Sequence, residues 1–188
     1  IGEATFWAMP NYSPSLSIMQ DIAKEKGFIV SREVEGVCPR VTLPRQWEDY
    51  LDSLDGRHRR ELKRKRRRLA RGSNVEMEIA RSPEEINQSL SDFIKLHIIS
   101  RSDKAKFMTK KMEKFFHCMV STLAENDLVR LYFLRLNNVR VAAVLCFEGD
   151  SERYLYNSGY DPAFAELSVG IMSKSMVIEE AISDGKLY

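Results

Sequence analysis

The sequence predicts an α+β fold, a mixed and mostly antiparallel sheet flanked by helices. Three observations carry this reading. From Leu128 the apolar pattern changes from a helical period to alternation. Two alternating runs, Leu128–Leu136 and Val139–Phe147, meet at Asn137-Asn138, a pair that tolerates the positive φ of a tight hairpin turn. A third run, Glu152–Gly159, is followed by a helical pattern from about Ser168 to Asp184.

Taken in order, residues 1–12 (Phe6, Trp7, Pro10, Tyr12) read as a strand running into a turn. Ser13-Pro14 opens a helix with Leu16, Ile18, Met19 and Ile22 inside, closing at Lys26-Gly27. Phe28–Glu35 reads as a strand, and Cys38 to Pro44 as an extended crossing. Two helices follow, about 45–54 and 56–71, with Asp55 as a cap and Arg71-Gly72-Ser73-Asn74 as a stop. The first docks by Trp47, Tyr50, Leu51 and Leu54; the second touches the core on a narrow strip through Leu62 and Leu69. Val75, Met77 and Ile79 alternate with acids, which suits a half-buried strand. Ser82-Pro83-Glu84-Glu85 is a strong helix start, and the helix buries Ile86, Leu90, Phe93 and Ile94 on a stripe that reaches His97 and Arg101. A second helix, about Thr109 to Glu125, presents Met112, Phe115, Phe116, Met119, Val120 and Leu123. The order from Val75 is then β-α-α-β-β-β-α, with Lys186-Leu187-Tyr188 expected to begin a further strand.

At 188 residues and 44% apolar, the chain has material for one core, or one and a piece. It begins at Ile1 and reaches Tyr188 straight after a helix, so both ends read as cut. No signal-peptide pattern opens it and no segment has the length of a membrane span. Cys38, Cys118 and Cys146 are far apart and odd in number, as expected of reduced thiols in a cytoplasmic protein. Neither these cysteines nor His58, His97 and His117 have metal-like spacing, so no metal is expected.

Residues 57–71, RHRRELKRKRRRLAR, hold ten Lys/Arg and one acid, Glu61. The whole chain has 29 basic and 27 acidic residues, so 19 and 26 are left elsewhere, a net charge of −7 against +9 in the run. Such asymmetry asks for an anion: nucleic acid, a membrane surface, a phosphorylated ligand, or the acidic remainder of the fold itself.

The element order, with a helix laid down after the third antiparallel strand, resembles the GNAT acyltransferase fold. Four segments are similar to one branch: LPRQWEDYLDSLDGRHRRELKRKRRRLARG, FIKLHIISR, LVRLYFLRLNNVRVAAVLCFEGDSERYLYNSGYDP and LSVGIMSKSMVIEEAISDGKLY. They resemble the bacterial CelD-like acetyltransferases of cellulose and exopolysaccharide biosynthesis, relatives of the Fem peptidoglycan aminoacyltransferases. The resemblance runs from about Trp7 to Tyr188 and implies two GNAT-like halves. Residues 1–44 would then be the tail of the first, and 45–188 the second, truncated at its C-terminus.

The resemblance implies acyl transfer from acetyl-CoA as donor to an amine or hydroxyl of a sugar or cell-envelope precursor. In such folds the fourth strand offers free backbone groups to the pantetheine arm, and the next helix points its N-terminus at the pyrophosphate. The corresponding residues here are Asn157, Ser158, Gly159 and Tyr160, then Ser168 and Gly170. The family signature Arg/Gln-x-x-Gly-x-Gly/Ala falls on Ala165-Glu166-Leu167-Ser168-Val169-Gly170, where Gly170 fits, Ser168 is a small substitute and Ala165 departs. That departure keeps two alternatives open: Fem-like aminoacyl transfer from tRNA, or a non-catalytic module holding RNA or an anionic membrane face at 57–71. Packing of Gly170 against the sheet and simple helix capping by Ser168 are the structural alternatives at those positions.

Acyl transfer needs a base for the incoming nucleophile, donors for the oxyanion and an acid for the leaving group. Strict alternation puts Tyr154, Tyr156 and Ser158 on one face of the strand and Leu155, Asn157 and Gly159 on the other. Tyr156 is the candidate acid for a leaving thiolate, and a backbone N–H near Asn157 the oxyanion donor; cross-strand packing is the alternative for the tyrosines. His97 and Arg101, four apart, are the candidate base and anion clamp, or a hydrogen-bonded histidine with a snorkelling arginine. Asp161 reads as a turn residue or a contact to acceptor hydroxyls.

Overall fold

The structure is a computed structural model that describes residues 3–188. Contacts divide the chain into a first unit that ends at Arg40 and a second from Val41 to Tyr188.

The first unit holds one helix, α1 (Pro14–Glu25), opened by Pro14 at its first turn. None of its residues is buried, and Ile18 and Ile22 are exposed. The strands expected near 1–12 and at 28–35 do not form: residues 3–12 and 28–35 have no ladder partner, and Ile1 and Gly2 lie outside the described residues. Alternating Val and Ile suffices for a strand only where a neighbouring edge completes the ladder.

In the second unit α2 (Trp47–Ser53) and α3 (Gly56–Ala70) meet at Asp55, whose carboxylate accepts from the N–H groups of Arg57 and His58 at 2.9 and 3.0 Å. α2 buries Leu51 and stacks Trp47 on Tyr50. Leu69 of α3 is buried, Leu62 is half-buried, and Gly72 ends the helix at φ +78°, a conformation an L side chain resists.

β1 (Val75–Ala80), β2 (Val129–Leu136), β3 (Val139–Glu148) and β4 (Arg153–Tyr160) form one sheet in that order, every neighbouring pair antiparallel. The β2–β3 turn has Asn137 at φ +47° and Asn138 at +69°, the geometry that made two asparagines a hairpin signal. α4 (Pro83–Ser100) begins with a complete capping box, Glu85 N–H to Ser82 Oγ and Ser82 N–H to Glu85 Oε2. A short helix not anticipated from sequence, α5 (Ser102–Phe107), links it to α6 (Lys110–Glu125). One face of the sheet packs on α4 and α6 through Leu90, Phe93, Phe116, Val120, Leu131 and Leu145. The other packs on α7 (Val169–Ser183) and α3 through Leu69, Leu134, Val141 and Met172. Phe115, expected inward on α6, is exposed.

Lys186–Tyr188 is not a strand here. Even so, Leu187 N–H donates to Ser151 C=O at 2.8 Å and Arg153 N–H to Tyr188 C=O at 2.9 Å, so the segment lies along the start of β4. Beside it Arg153, almost wholly buried, pairs with Glu148 at 2.7 Å and Asp184 at 2.6 Å.

Candidate active site on the fourth strand

β4 is an edge strand, and its pairing with β3 slips by one residue: Leu145 faces Asn157, while Cys146 faces Leu155. Tyr156 is therefore the extra residue of a β-bulge. This corrects the strict alternation expected from the sequence. Asn157 and Gly159 stand opposite Leu145 and Ala143, which face α4, and Tyr156 joins them there, its ring tilted by 38° against Phe147 at 4.7 Å and near Phe116 at 6.2 Å. Ser158 stands opposite Val144, on the α7 face, so it does not share a face with Tyr156. One inserted residue flips the side-chain parity of everything after it.

β4 touches α4 backbone to backbone at Gly159. A Cβ there would lie 2.3 Å from His97 N, 2.4 Å from Leu96 C and 2.5 Å from His97 Cα, so only glycine admits the approach. His97 is 1% exposed, between the rings of Phe93 and Phe107. Its Nε2 lies 3.0 Å from Asn157 Oδ1, which also accepts from Ser158 N–H at 3.0 Å. An amide oxygen only accepts, so this bond assigns the proton to Nε2 and leaves Nδ1 a lone pair; Nδ1 is buried without a partner among the described residues. Burial first, and then the Lys104 ammonium, hold the His97 pKa below its ordinary 6.5, outweighing the Asn157 bond. His97 is thus neutral near pH 7.

Arg101 does not join it. α4 ends there, and its guanidinium forks onto Asp103 at 3.0 and 2.9 Å in solvent. The four-residue stripe fails because Arg101 has left helical φ/ψ. The cation that does reach the strand is Lys104 of α5, whose Nζ donates to Ser158 C=O. Burial first, then Lys174 and Arg101, lower its pKa. Lys104 and Phe107 escape sequence reading because SDKAKF has too few apolar residues to show a buried face.

Beyond Tyr160 the chain turns at Asp161, whose carboxylate accepts from Ala163 N–H at 2.9 Å and opens a 3-10 turn over Pro162–Leu167. This is the turn role. Ser168 then sits at φ +57° and precedes α7, but its side chain caps no N–H. The capping alternative therefore fails and leaves the first turn of α7 without a side-chain acceptor. Gly170 lies under Tyr160: a Cβ there would be 3.1 Å from the ring. So Gly170 serves helix–sheet packing, while its backbone stays in the first turn of α7.

On the outer side of α4 an open polar cleft of about 520 Å³ is lined by Glu78, Asp92, Lys95, Asn138, Arg140 and Asp161. Arg140 bonds Asp92 at 2.7 Å and Ser89 at 3.0 Å and also pairs with Glu78. Burial pushes the Cys146 thiol up to about 12, which disqualifies it as a nucleophile near neutrality. Among the described residues no group of three or more His, Cys, Asp or Glu side chains is placed to hold a metal ion.

Two comparisons bear on this site. A family model described as an acetyltransferase (GNAT) domain matches residues 56–187, which includes α3, the whole sheet and α7. No curated protein matches the chain.

Proposed function

The chain belongs to the GNAT acetyltransferase family, and from that premise we propose that it moves an acetyl group from acetyl-CoA to an amine or hydroxyl of a sugar or cell-envelope precursor, as in the CelD-like branch. The observation that carries the reading is the β4 edge: a bulge at Tyr156 on the strand that leads, through Asp161 and the 3-10 turn Pro162–Leu167, into an uncapped first turn of α7. Strand-edge N–H and C=O groups suit the amide-bearing pantetheine arm, and the first turn of α7 suits its pyrophosphate through orphan amides and the dipole. A backbone N–H at the bulge is the proposed oxyanion donor. Tyr156 is the proposed acid for the leaving thiolate.

Buried and unreachable by solvent, His97 is a positioning residue in this proposal rather than the base. It holds Asn157, and Asn157 holds the Ser158 N–H, which sets the bulge. Lys104 of α5 is the proposed base, its pKa already lowered by burial where its Nζ donates to Ser158 C=O of the same strand edge. The polar cleft beside α4 offers carboxylates and cations together, a lining suited to a hydroxyl-rich acceptor. In the same reading residues 1–44 are the tail of a first GNAT-like half.

Ala165, standing where the signature has Arg or Gln, is the observation that favours a second reading, aminoacyl transfer of the Fem kind. Release of free thiol from acetyl-CoA, screened over amino sugars and sugar alcohols, tests the first. Turnover that falls at least tenfold in Tyr156→Phe, with the melting temperature unchanged, supports the assignment. Unchanged turnover in that variant removes Tyr156 from the chemistry.

A further inference from the structure

The ten cations of residues 57–71 fall into two groups in the structure. Four are paired: Arg59 with Asp52, Lys65 with Glu61, Arg66 with Glu179 and Arg68 with Glu166. The other six, Arg57, Arg60, Lys63, Arg64, Arg67 and Arg71, are all exposed and form no ion pair among the described residues. At about 100° per residue these six share one arc of roughly 120°, directly opposite Leu62 and Leu69. The only other residue of α3 on that arc is Gly56. It carries no acid.

We infer that this face of α3 is a docking surface for an anionic phospholipid membrane, which it meets by adsorption rather than insertion. Arg57 to Arg67 spans about 15 Å along α3, with Arg71 at its C-terminal cap, so the cations form a line that a plane can meet together. Gly56 has no side chain, so on this arc only the Arg and Lys side chains project. Four to eight cations on one helix face are enough for attraction to an anionic leaflet, each contributing about a fivefold step in partition. Nothing apolar on the arc would enter the acyl region, and no described helix is long and apolar enough to cross a membrane. A single-stranded nucleic-acid face is disfavoured by composition: the arc has no aromatic ring for base stacking. The inference rests on charge placement alone and is independent of the acyl-transfer reading.

Flotation of the full chain with vesicles of phosphatidylcholine, with and without about 30% phosphatidylglycerol, tests it at roughly 0.1 M salt. The chain is expected to float with the anionic vesicles only, and to be released at about 0.5 M salt. Arg60→Gln/Arg64→Gln should weaken partition about 25-fold, whereas Lys65→Gln/Arg68→Gln, whose charges are already paired, should weaken it severalfold at most. Circular dichroism of both variants checks that α3 is intact. Equal flotation with neutral vesicles, no flotation at all, or equal loss in the two variants would overturn the inference. A labelled RNA or DNA duplex held more tightly than the vesicles at the same salt would overturn it too, and reassign the arc to phosphodiester.

Discussion

Two helices of the same unit, α4 and α3, are tied to the fold in opposite ways. α4 is buried along Ile86, Leu90, Phe93, Ile94 and His97 and meets β4 so closely that one glycine hydrogen is all the space left. α3 meets the fold through Leu62, Leu69 and a few ion pairs, and turns to solvent six cations that form no ion pair among the described residues. The difference separates two kinds of function. On α4 a side chain acts by fixing backbone geometry elsewhere, so its replacement costs stability. On α3 the outward side chains have little structural duty and can be changed with effects on binding alone.

The largest effect expected is at the α4–β4 contact. Gly159→Ala must push two backbone segments apart and should cost about 3 kcal/mol, measured as a fall in the urea midpoint at constant slope. A variant as stable as the parent would show that the two elements slide freely, and the contrast between the helices would dissolve. Next comes Asn157→Ala, which leaves the His97 Nε2–H and the Ser158 N–H without their acceptor, a cost of about 2 kcal/mol.

The pH dependence sharpens the same contact. A histidine whose pKa is lowered on folding is protonated first in the unfolded chain, so stability should fall as pH drops below 6.5 and be flat with respect to this group above it. Asn157→Asp places a carboxylate against Nε2 and should raise the His97 pKa, seen by NMR titration of the ring. The smallest effect belongs to α3: neutralising Arg57, Arg60, Arg64 and Arg67 with Gln should leave the melting temperature unchanged or slightly higher, since like charges at helical spacing repel. A marked fall would give the arc a structural duty.

How far the sequence exposes all this depends on whether the signal is local. The Ser82–Glu85 box, Asp55, Asn137-Asn138 and the stop at Gly72 are decided within four residues, and each element they delimit forms where expected. Phe28–Glu35 fails because a strand needs a partner edge that its own residues cannot specify. In β4 the strand itself was legible, but the bulge depends on register against β3, and so the side-chain parity at Tyr156 and Ser158 came out wrong. His97 showed its burial by period, whereas Arg101 lay one step past the helix end. Lys104 was invisible because its neighbour across the contact, Ser158, is 54 residues away. Charge totals exposed the basic run; only the structure sorts its cations into four that are paired and six that form no ion pair among the described residues.

The central claim is that the β4 edge and the first turn of α7 hold an acyl thioester of coenzyme A. Its most direct test is the melting temperature of the chain titrated with acetyl-CoA, with free CoA and tRNA alongside. At about a hundredfold over the dissociation constant, a ligand of the folded state adds about 2.7 kcal/mol, or roughly 5–10 °C for a chain of this size. A saturable rise of that order with acetyl-CoA and not with tRNA is the predicted result. No response to acetyl-CoA or CoA, with stabilisation by tRNA, would contradict the account and favour aminoacyl transfer instead.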